Sequence, residues 1–388
     1  MVKKKQTKIA LVHDYLNEAG GAERVLRVLS EMYPEAPIYT AFVKNGTAKA
    51  MFSDREIHES AYGWLLKIGR LFSYLRFLLP WIWRSIDLAK YDLVITSTSG
   101  GYIARGFRVS EKTRVIAYCH TPPKWLYGYD TPTGAMSKWW GRLFIYVFGP
   151  PLRYFDYMSA QRVNTWIANS HEVATRIKKF YGREAVVVYP PVELKGASRK
   201  GQVERGGYYL LVTRITGAKG VNEAILAAER GRFRLKLVGE KVSTQYTVHS
   251  TQWVEYLGRV EDRELVELYS HAKGFVALAR DEDFGMTVVE AMAHGTPVLA
   301  LRSGGYIETV SDGSDNQKTQ ASRGSESQRV RTGVFIEDTS VESVTRGIAQ
   351  MEQTVWDHDR IIKWAKQFNR SVFETKIRGV VNARTTRS

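Results

Sequence analysis

The 388 residues carry 56 lysines and arginines against 40 acidic residues, a net charge of +16, with 44% hydrophobic side chains; such a chain has enough apolar material for two domains of the usual ~100–200 residues and is not a disordered polymer. The charge predicts attraction to polyanions, but no RNA-recognition, zinc-finger or helix-turn-helix pattern occurs, so nucleic acid is not the expected partner. A single cysteine, Cys119, excludes an intramolecular disulfide and a cysteine metal cluster and suits a reducing cytoplasm.

The start, Met1-Val2-Lys3-Lys4-Lys5, is basic as a leader would be, but the apolar run Ile9-Ala10-Leu11-Val12 is short and ends in His13-Asp14. Residues 8–14 therefore read as a first strand. Next come Gly20-Gly21 and a helical pattern at Val25, Leu26, Val28, Leu29 and Met32. Two glycines between strand and helix let a ligand approach the backbone closely, or simply make a tight βα turn. Further strands at 93–96, 114–118 and 165–168 alternate with helical stretches, which predicts an α/β doubly wound parallel sheet with ligands at the carboxyl ends of its strands. Two of those ends are polar: Cys119-His120-Thr121-Pro122-Pro123 and Asn169-Ser170-His171. His120, pinned by two prolines, is the better candidate for a contact with a substrate hydroxyl or phosphate, although a structural histidine fits the residues equally well.

Two stretches, 62–88 and 138–148, are dense in tryptophan and other apolar residues, the first interleaved with Lys67, Arg70, Arg76 and Arg84. They suit either a membrane interface or the core of an α/β domain. No uncharged apolar run reaches the ~18 residues of a spanning helix, so the chain is expected to lie on a membrane rather than cross it.

The pattern stops near residue 192, and the polar, glycine-containing stretch 193–207 reads as an interdomain linker. A second alternating unit follows, with strands at 208–213, 235–239, 253–257, 275–279 and 298–301 and helices at 221–230 and 262–270. In its first loop Arg214 and Lys219 stand beside Gly217 and Gly220. They would clamp a diphosphate, arginine by its fork and lysine as a point charge, yet two exposed cations are unremarkable in so basic a chain.

The stretch Asp281-Glu282-Asp283-Phe284-Gly285-Met286 leads into a helix over 287–294 that ends at Gly295, with Pro297 beyond. Glu282 then lies in the loop and Glu290 on the helix. The amides of Phe284, Gly285 and Met286 point out of a helix N-terminus, where an anion such as a phosphate is favoured. A sugar nucleotide would fit, but so would a surface loop whose acidic turn complements its own helix. Residues 311–328 read as a disordered insertion and 357–382 as one long helix.

Taken together, Gly20-Gly21, His120, the Arg214…Lys219 pair and Glu282…Glu290 resemble, in order, the retaining glycosyltransferases of family 4, and the likeness covers nearly the whole chain. The resemblance implies the GT-B fold, two Rossmann-like domains facing a central cleft: an acceptor-side domain at 1–192, onto which a C-terminal helix at about 365–388 packs back, and a donor-nucleotide domain at 193–364. It implies that Arg214 and Lys219 hold the donor diphosphate, that Glu290 binds the ribose and Glu282 the transferred sugar, and that Phe284, Gly285 and Met286 offer amides. Gly258-Arg259-Val260 would lie by the base. His13-Asp14-Tyr15-Leu16 and Tyr118-Cys119-His120-Thr121-Pro122 look like the GDP-mannose-using mannosyltransferases of surface polysaccharide synthesis.

The expectation is thus a hexosyltransferase moving mannose from GDP-mannose to a lipid-linked or polysaccharide acceptor, peripheral on the inner face of the cytoplasmic membrane and attracted to its anionic surface. Fixed cations and amides would stabilise the leaving diphosphate. With protein cations to meet the diphosphate, and one cysteine and scattered histidines giving no metal cluster, no metal or other cofactor is expected, and the nucleotide sugar is a substrate. Alternatives are a UDP-sugar-dependent transferase of the same family, a sugar-nucleotide epimerase, and a non-catalytic GT-B protein that binds glycans or lipids.

Overall fold

The short apolar runs between glycine and proline turns fold as parallel strands. The computed structural model describes residues 7–44, 46–68, 71–129, 139–193, 205–241, 248–314 and 330–383. Seven strands build one sheet: β1 (Ile9–His13), β2 (Ile38–Thr40), β3 (Ile57–Glu59), β4 (Leu93–Thr98), β5 (Arg114–Cys119), β6 (Thr165–Ala168) and β7 (Ala185–Val187). Their spatial order is β3-β2-β1-β4-β5-β6-β7. Six more build another: β8 (Tyr208–Val212), β9 (Arg234–Val238), β10 (Val254–Gly258), β11 (Gly274–Ala277), β12 (Val298–Leu301) and β13 (Gly333–Ile336), in the order β10-β9-β8-β11-β12-β13. All neighbouring pairs are parallel. Contacts group Met1–Pro190 with Phe373–Ser388 as one unit and Pro191–Val372 as the other.

Alternation along each strand explains the cores. On β1, Ala10 and Val12 enter one cluster and Leu11 another; on β5, Val115 and Ala117 oppose Ile116 and Tyr118. Both faces are buried, so these strands appear as unbroken apolar runs. Each sheet reverses its winding once, between β1 and β4 and between β8 and β11. Loops leaving the carboxyl ends there diverge and make room for a ligand.

Four strands, β2, β3, β7 and β13, escape the sequence reading; the first three are only three residues long and β13 four. The expected single terminal helix is instead two, His358–Ala365 and Arg370–Asn382, separated by a 3₁₀ turn at Lys366–Phe368. Asn369 causes the break: its ψ of 163° is extended, and its side-chain oxygen accepts the Val372 amide at 2.9 Å as the cap of the second helix. Beyond it, Phe373 and Ile377 are buried in the first sheet's core, a contribution of about 1.5–3 kcal/mol each. Arg114 of β5 also donates to the carbonyls of Val380 and Val381 at 2.9 and 2.6 Å.

Of the linker expected at 193–207, residues 194–204 lie outside the described residues, as do 315–328 of the insertion expected at 311–328. Flanking the latter, Asp312 and Arg331 form an antiparallel bridge.

The aromatic stretches divide between core and surface. Leu66, Leu79, Ile82 and Trp83 are buried, whereas Trp64 and Trp81 are exposed. Among the interleaved cations Lys67 pairs with Glu59 at 2.7 Å, Arg76 lies over the Trp125 ring, Arg84 is exposed, and Arg70 is outside the described residues. The second stretch opens the helix Trp139–Gln161. There Trp139, Leu143, Tyr146, Val147, Tyr154 and Tyr157 are all exposed, and their spacing puts them on one face of the helix. Stacking of Phe77 on Phe148 and contact of Tyr74 with Trp140 join the two stretches into one surface. No helix among the described residues is long and apolar enough to cross a membrane.

Candidate active site

In the second unit, the loop after β8 runs through Arg214 to a 3₁₀ turn, Gly217–Lys219, and the helix Val221–Gly231. Gly220, at φ 68°, lets this loop lie against the end of β11: a Cβ there would come within 2.5 Å of the Leu278 side chain and 2.7 Å of its carbonyl oxygen. The Arg280 amide donates to the Ala218 carbonyl at 3.1 Å, tying the loops after β8 and β11 together. Lys219 Nζ consequently reaches Glu282 Oε2 at 2.6 Å, with the two side chains 24% and 18% exposed. Arg214 is exposed on the same loop. The pair expected to serve diphosphate and sugar is thus joined at the switch point of the sheet.

The loop carrying Glu282 is held from behind. Gly305 donates its amide to the Glu282 carbonyl at 2.8 Å. A Cβ on Gly304 would sit 2.3 Å from that carbonyl oxygen, and one on Gly305 2.5 Å from Phe284 Cα, so the backbones touch as only glycine permits. Phe284 buries its ring against Phe368 and is left with only its main chain to offer a ligand. Gly285 then caps the helix Met286–Ala293, one residue earlier at each end than expected, whose first amides and dipole face outward.

Glu290 points from this helix to Tyr269, whose hydroxyl donates to Oε2 at 2.9 Å. Tyr269 is buried and stacks on His294, so the carboxylate is oriented from the core. Val260 follows β10 at the sheet edge, two strands from β8, and the topology sets it apart from the Lys219–Glu282 pair.

In the first unit, Gly20 caps the helix Gly21–Met32 and Glu23 reaches back to accept the Gly20 amide at 3.0 Å. Asp14 is buried and gathers the loop after β4, accepting amides of Ser99, Gly101, Tyr102 and Ala104 and the Ser99 hydroxyl at 2.7–3.2 Å. His120 extends β5, its amide on the Thr98 carbonyl, and its Nε2 lies 2.9 Å from Ser97 Oγ. Ser97 Oγ is in turn 3.1 Å from His13 Nδ1. Loss of solvation, with the nearby His13 second, pushes the His120 imidazole down to about 3, so the ring is neutral near pH 7.

Gly20, Gly21 and His120 fall at the carboxyl ends of the first sheet; Arg214, Lys219, Glu282, Phe284, Gly285 and Met286 fall at those of the second, with Glu290 about one turn into the helix that follows. Tyr269, Gly304, Gly305, Glu23 and Ser97 support them without having been singled out by composition or period. Strand register is the signal that finds Ser97, opposite His13 on β1 and Tyr118 on β5.

Residues 197–368 match the family described as Glycosyl transferases group 1, and residues 19–195 match Glycosyltransferase Family 4. The chain is 24% identical to alpha-1,3/1,6-mannosyltransferase ALG2 of Kluyveromyces lactis, over 79% of this chain and 72% of that protein. It is 27% identical to O-antigen chain mannosyltransferase B of Escherichia coli over 53% of this chain, spanning about half of that relative (54%). In fold it is similar to Anabaena HepE in complex with UDP and glucose, with a TM-score of 0.63 at 16% identity, over 98% of this chain and 100% of that one.

Proposed function

Because this chain belongs to the family 4 glycosyltransferases of GT-B fold, we propose that it moves mannose from GDP-mannose to a lipid-linked or polysaccharide acceptor with retention of configuration. The observation that carries this reading is the Lys219–Glu282 pair beside a helix N-terminus. When a nucleoside diphosphate leaves, negative charge grows on its oxygens; Lys219, Arg214 and the amides at Met286 are fixed donors that meet it. Glu282, released from Lys219 by the incoming diphosphate, is then available to the sugar hydroxyls, and Glu290 to the ribose. Protein cations take the role a metal would otherwise fill, so no cofactor is part of this mechanism. The choice of mannose rests on the two relatives named as mannosyltransferases.

A membrane surface completes the proposal. The exposed face of Trp139, Leu143, Tyr146 and Val147, with Arg84 and Arg142 also exposed, has the make-up of an interfacial helix in a chain of net charge +16. This supports docking on the anionic cytoplasmic face of a membrane, where a lipid-linked acceptor resides.

Incubation of the purified protein with labelled GDP-mannose and labelled UDP-hexoses, with and without a polyprenyl-diphosphate sugar, tests the reading. Transfer from GDP-mannose supports it. Transfer only from a UDP-hexose, the nucleotide type held by HepE, replaces the donor, and transfer from none overturns the substrate assignment.

A further inference from the structure

We propose that Glu23, His13 and Ser97 fix the tautomer of His120, with its proton on Nε2, so that Nδ1 is presented as a hydrogen-bond acceptor. They are positioning residues. The use of that acceptor, for a hydroxyl of the substrate, rests on the function proposed above.

The row of side chains follows from topology. β1, β4 and β5 are consecutive in the sheet, with His13 opposite Ser97 and Ser97 opposite Tyr118. At their carboxyl ends Glu23 Oε1 lies 3.6 Å from His13 Nε2, His13 Nδ1 lies 3.1 Å from Ser97 Oγ, and Ser97 Oγ lies 2.9 Å from His120 Nε2. His13 and Ser97 are fully buried and Glu23 is 6% exposed.

A hydroxyl has one proton. Ser97 Oγ can donate to only one of the two imidazole nitrogens, and these are its only hydrogen-bond partners among the described residues, so its proton is used only when it donates to one ring and accepts from the other, and the chain then has two senses. Glu23 selects between them. Its Oε2 is occupied by the Gly20 amide at 3.0 Å, which turns Oε1 toward His13 Nε2. An ionised carboxylate only accepts, so a bare lone pair on His13 Nε2 would face negative charge in a dry interior, whereas an N–H there is attracted. The distance of 3.6 Å exceeds a hydrogen bond, and the carboxylate acts through its field. With its one proton on Nε2, His13 has Nδ1 bare. Ser97 therefore donates to His13 and accepts from His120 Nε2–H, leaving His120 Nδ1 without a proton.

Protein labelled with ¹⁵N-histidine, studied at pH 8 by long-range ¹H–¹⁵N correlation, reports each ring's tautomer without any substrate. The expected result is Nε2–H for both His13 and His120. Glu23→Gln keeps the shape; with its oxygen held by the Gly20 amide, its NH₂ faces His13 Nε2, drives that ring's proton to Nδ1 and reverses Ser97. His120 should then carry its proton on Nδ1, and kcat/KM for transfer should fall about five- to one-hundred-fold, the cost of presenting a donor where an acceptor is needed. Ser97→Ala cuts the chain, so adding Glu23→Gln to it should leave the His120 tautomer as in Ser97→Ala alone. An Nδ1–H tautomer of His120 in the unsubstituted protein overturns the proposal. So does a His120 tautomer that ignores Glu23→Gln or that still responds to it in the Ser97→Ala background. If the tautomers respond as described but transfer is unchanged, the relay stands and the substrate contact of His120 falls.

Discussion

Replacing Glu282 with glutamine should separate the two uses of the Lys219–Glu282 pair. At 2.6 Å, with the side chains 24% and 18% exposed, the pair is partly solvated. Two unit charges at ~4 Å interact by about 4 kcal/mol at an effective dielectric of 20, and desolvation and side-chain entropy reduce the net value of such a pair to about 1 kcal/mol. A nucleoside diphosphate must compete with that amount to engage Lys219. Glu282→Gln removes the competitor and keeps the volume, so GDP without its sugar should bind about fivefold more tightly. Lys219→Met removes a charge-assisted hydrogen bond of about 1.5–3 kcal/mol and should weaken GDP some ten- to one-hundred-fold. Transfer should fall by ~10²-fold or more in both, on the scale of removing one transition-state donor. Calorimetric titration with GDP and initial rates of transfer measure the two effects separately. Weakening of GDP by Glu282→Gln as large as that by Lys219→Met would refute the competition.

Tyr269→Phe keeps the ring packed on His294 but removes the hydroxyl 2.9 Å from Glu290; the KM for the donor should rise about five- to tenfold with little change in Tm. Gly304→Ala puts a Cβ 2.3 Å from the Glu282 carbonyl at φ 55°, and thermal unfolding should show a loss of about 1–3 kcal/mol together with loss of transfer. For His120, held neutral down to about pH 3 in the folded protein, the unfolded chain binds the proton first, at about 6.5. Its contribution to stability is therefore complete above pH 6.5 and is lost on acidification toward pH 3, at up to about 1.4 kcal/mol per pH unit; urea unfolding of His120→Gln should lack that part of the slope. Trp139→Ser with Tyr146→Ser should reduce flotation with anionic liposomes, which should itself weaken as salt rises.

Much of the fold is legible because buried parallel strands have a plain signature. Val298-Leu299-Ala300-Leu301 sits between Pro297 and Arg302-Ser303-Gly304 and occupies the expected strand. β2 and β3 lack that signature. They pair over three residues, and the Tyr39–His58 ring contact at 4.7 Å that accompanies the pairing has no periodic trace. In the terminal segment the apolar 3.6-residue period runs through Asn369, since both helices bury one face. Only the capping habit of asparagine marks the break. The tryptophan-rich stretches carry the same composition whether they face core or solvent, and helical phase, absent from composition, assigns Trp83 inward and Trp139 outward.

Charge-bearing site residues are legible for a different reason. Lys219 and Glu282 must lie in loops at strand ends, and those loops are punctuated by Gly220 and Gly285. The residues that aim them are illegible locally, since each earns its place by a neighbour distant in the chain. Gly304 matters only because the Glu282 carbonyl lies against it, and Tyr269 only because Glu290 is within reach of its hydroxyl. The smallest added information that recovers such residues is sheet order. Placing β4 between β1 and β5, with strand ends in register, sets Ser97 between His13 and His120 before any side chain is built. A serine is unremarkable in composition and decisive there, because its single proton can serve only one of the two histidines and its lone pairs remain for the other.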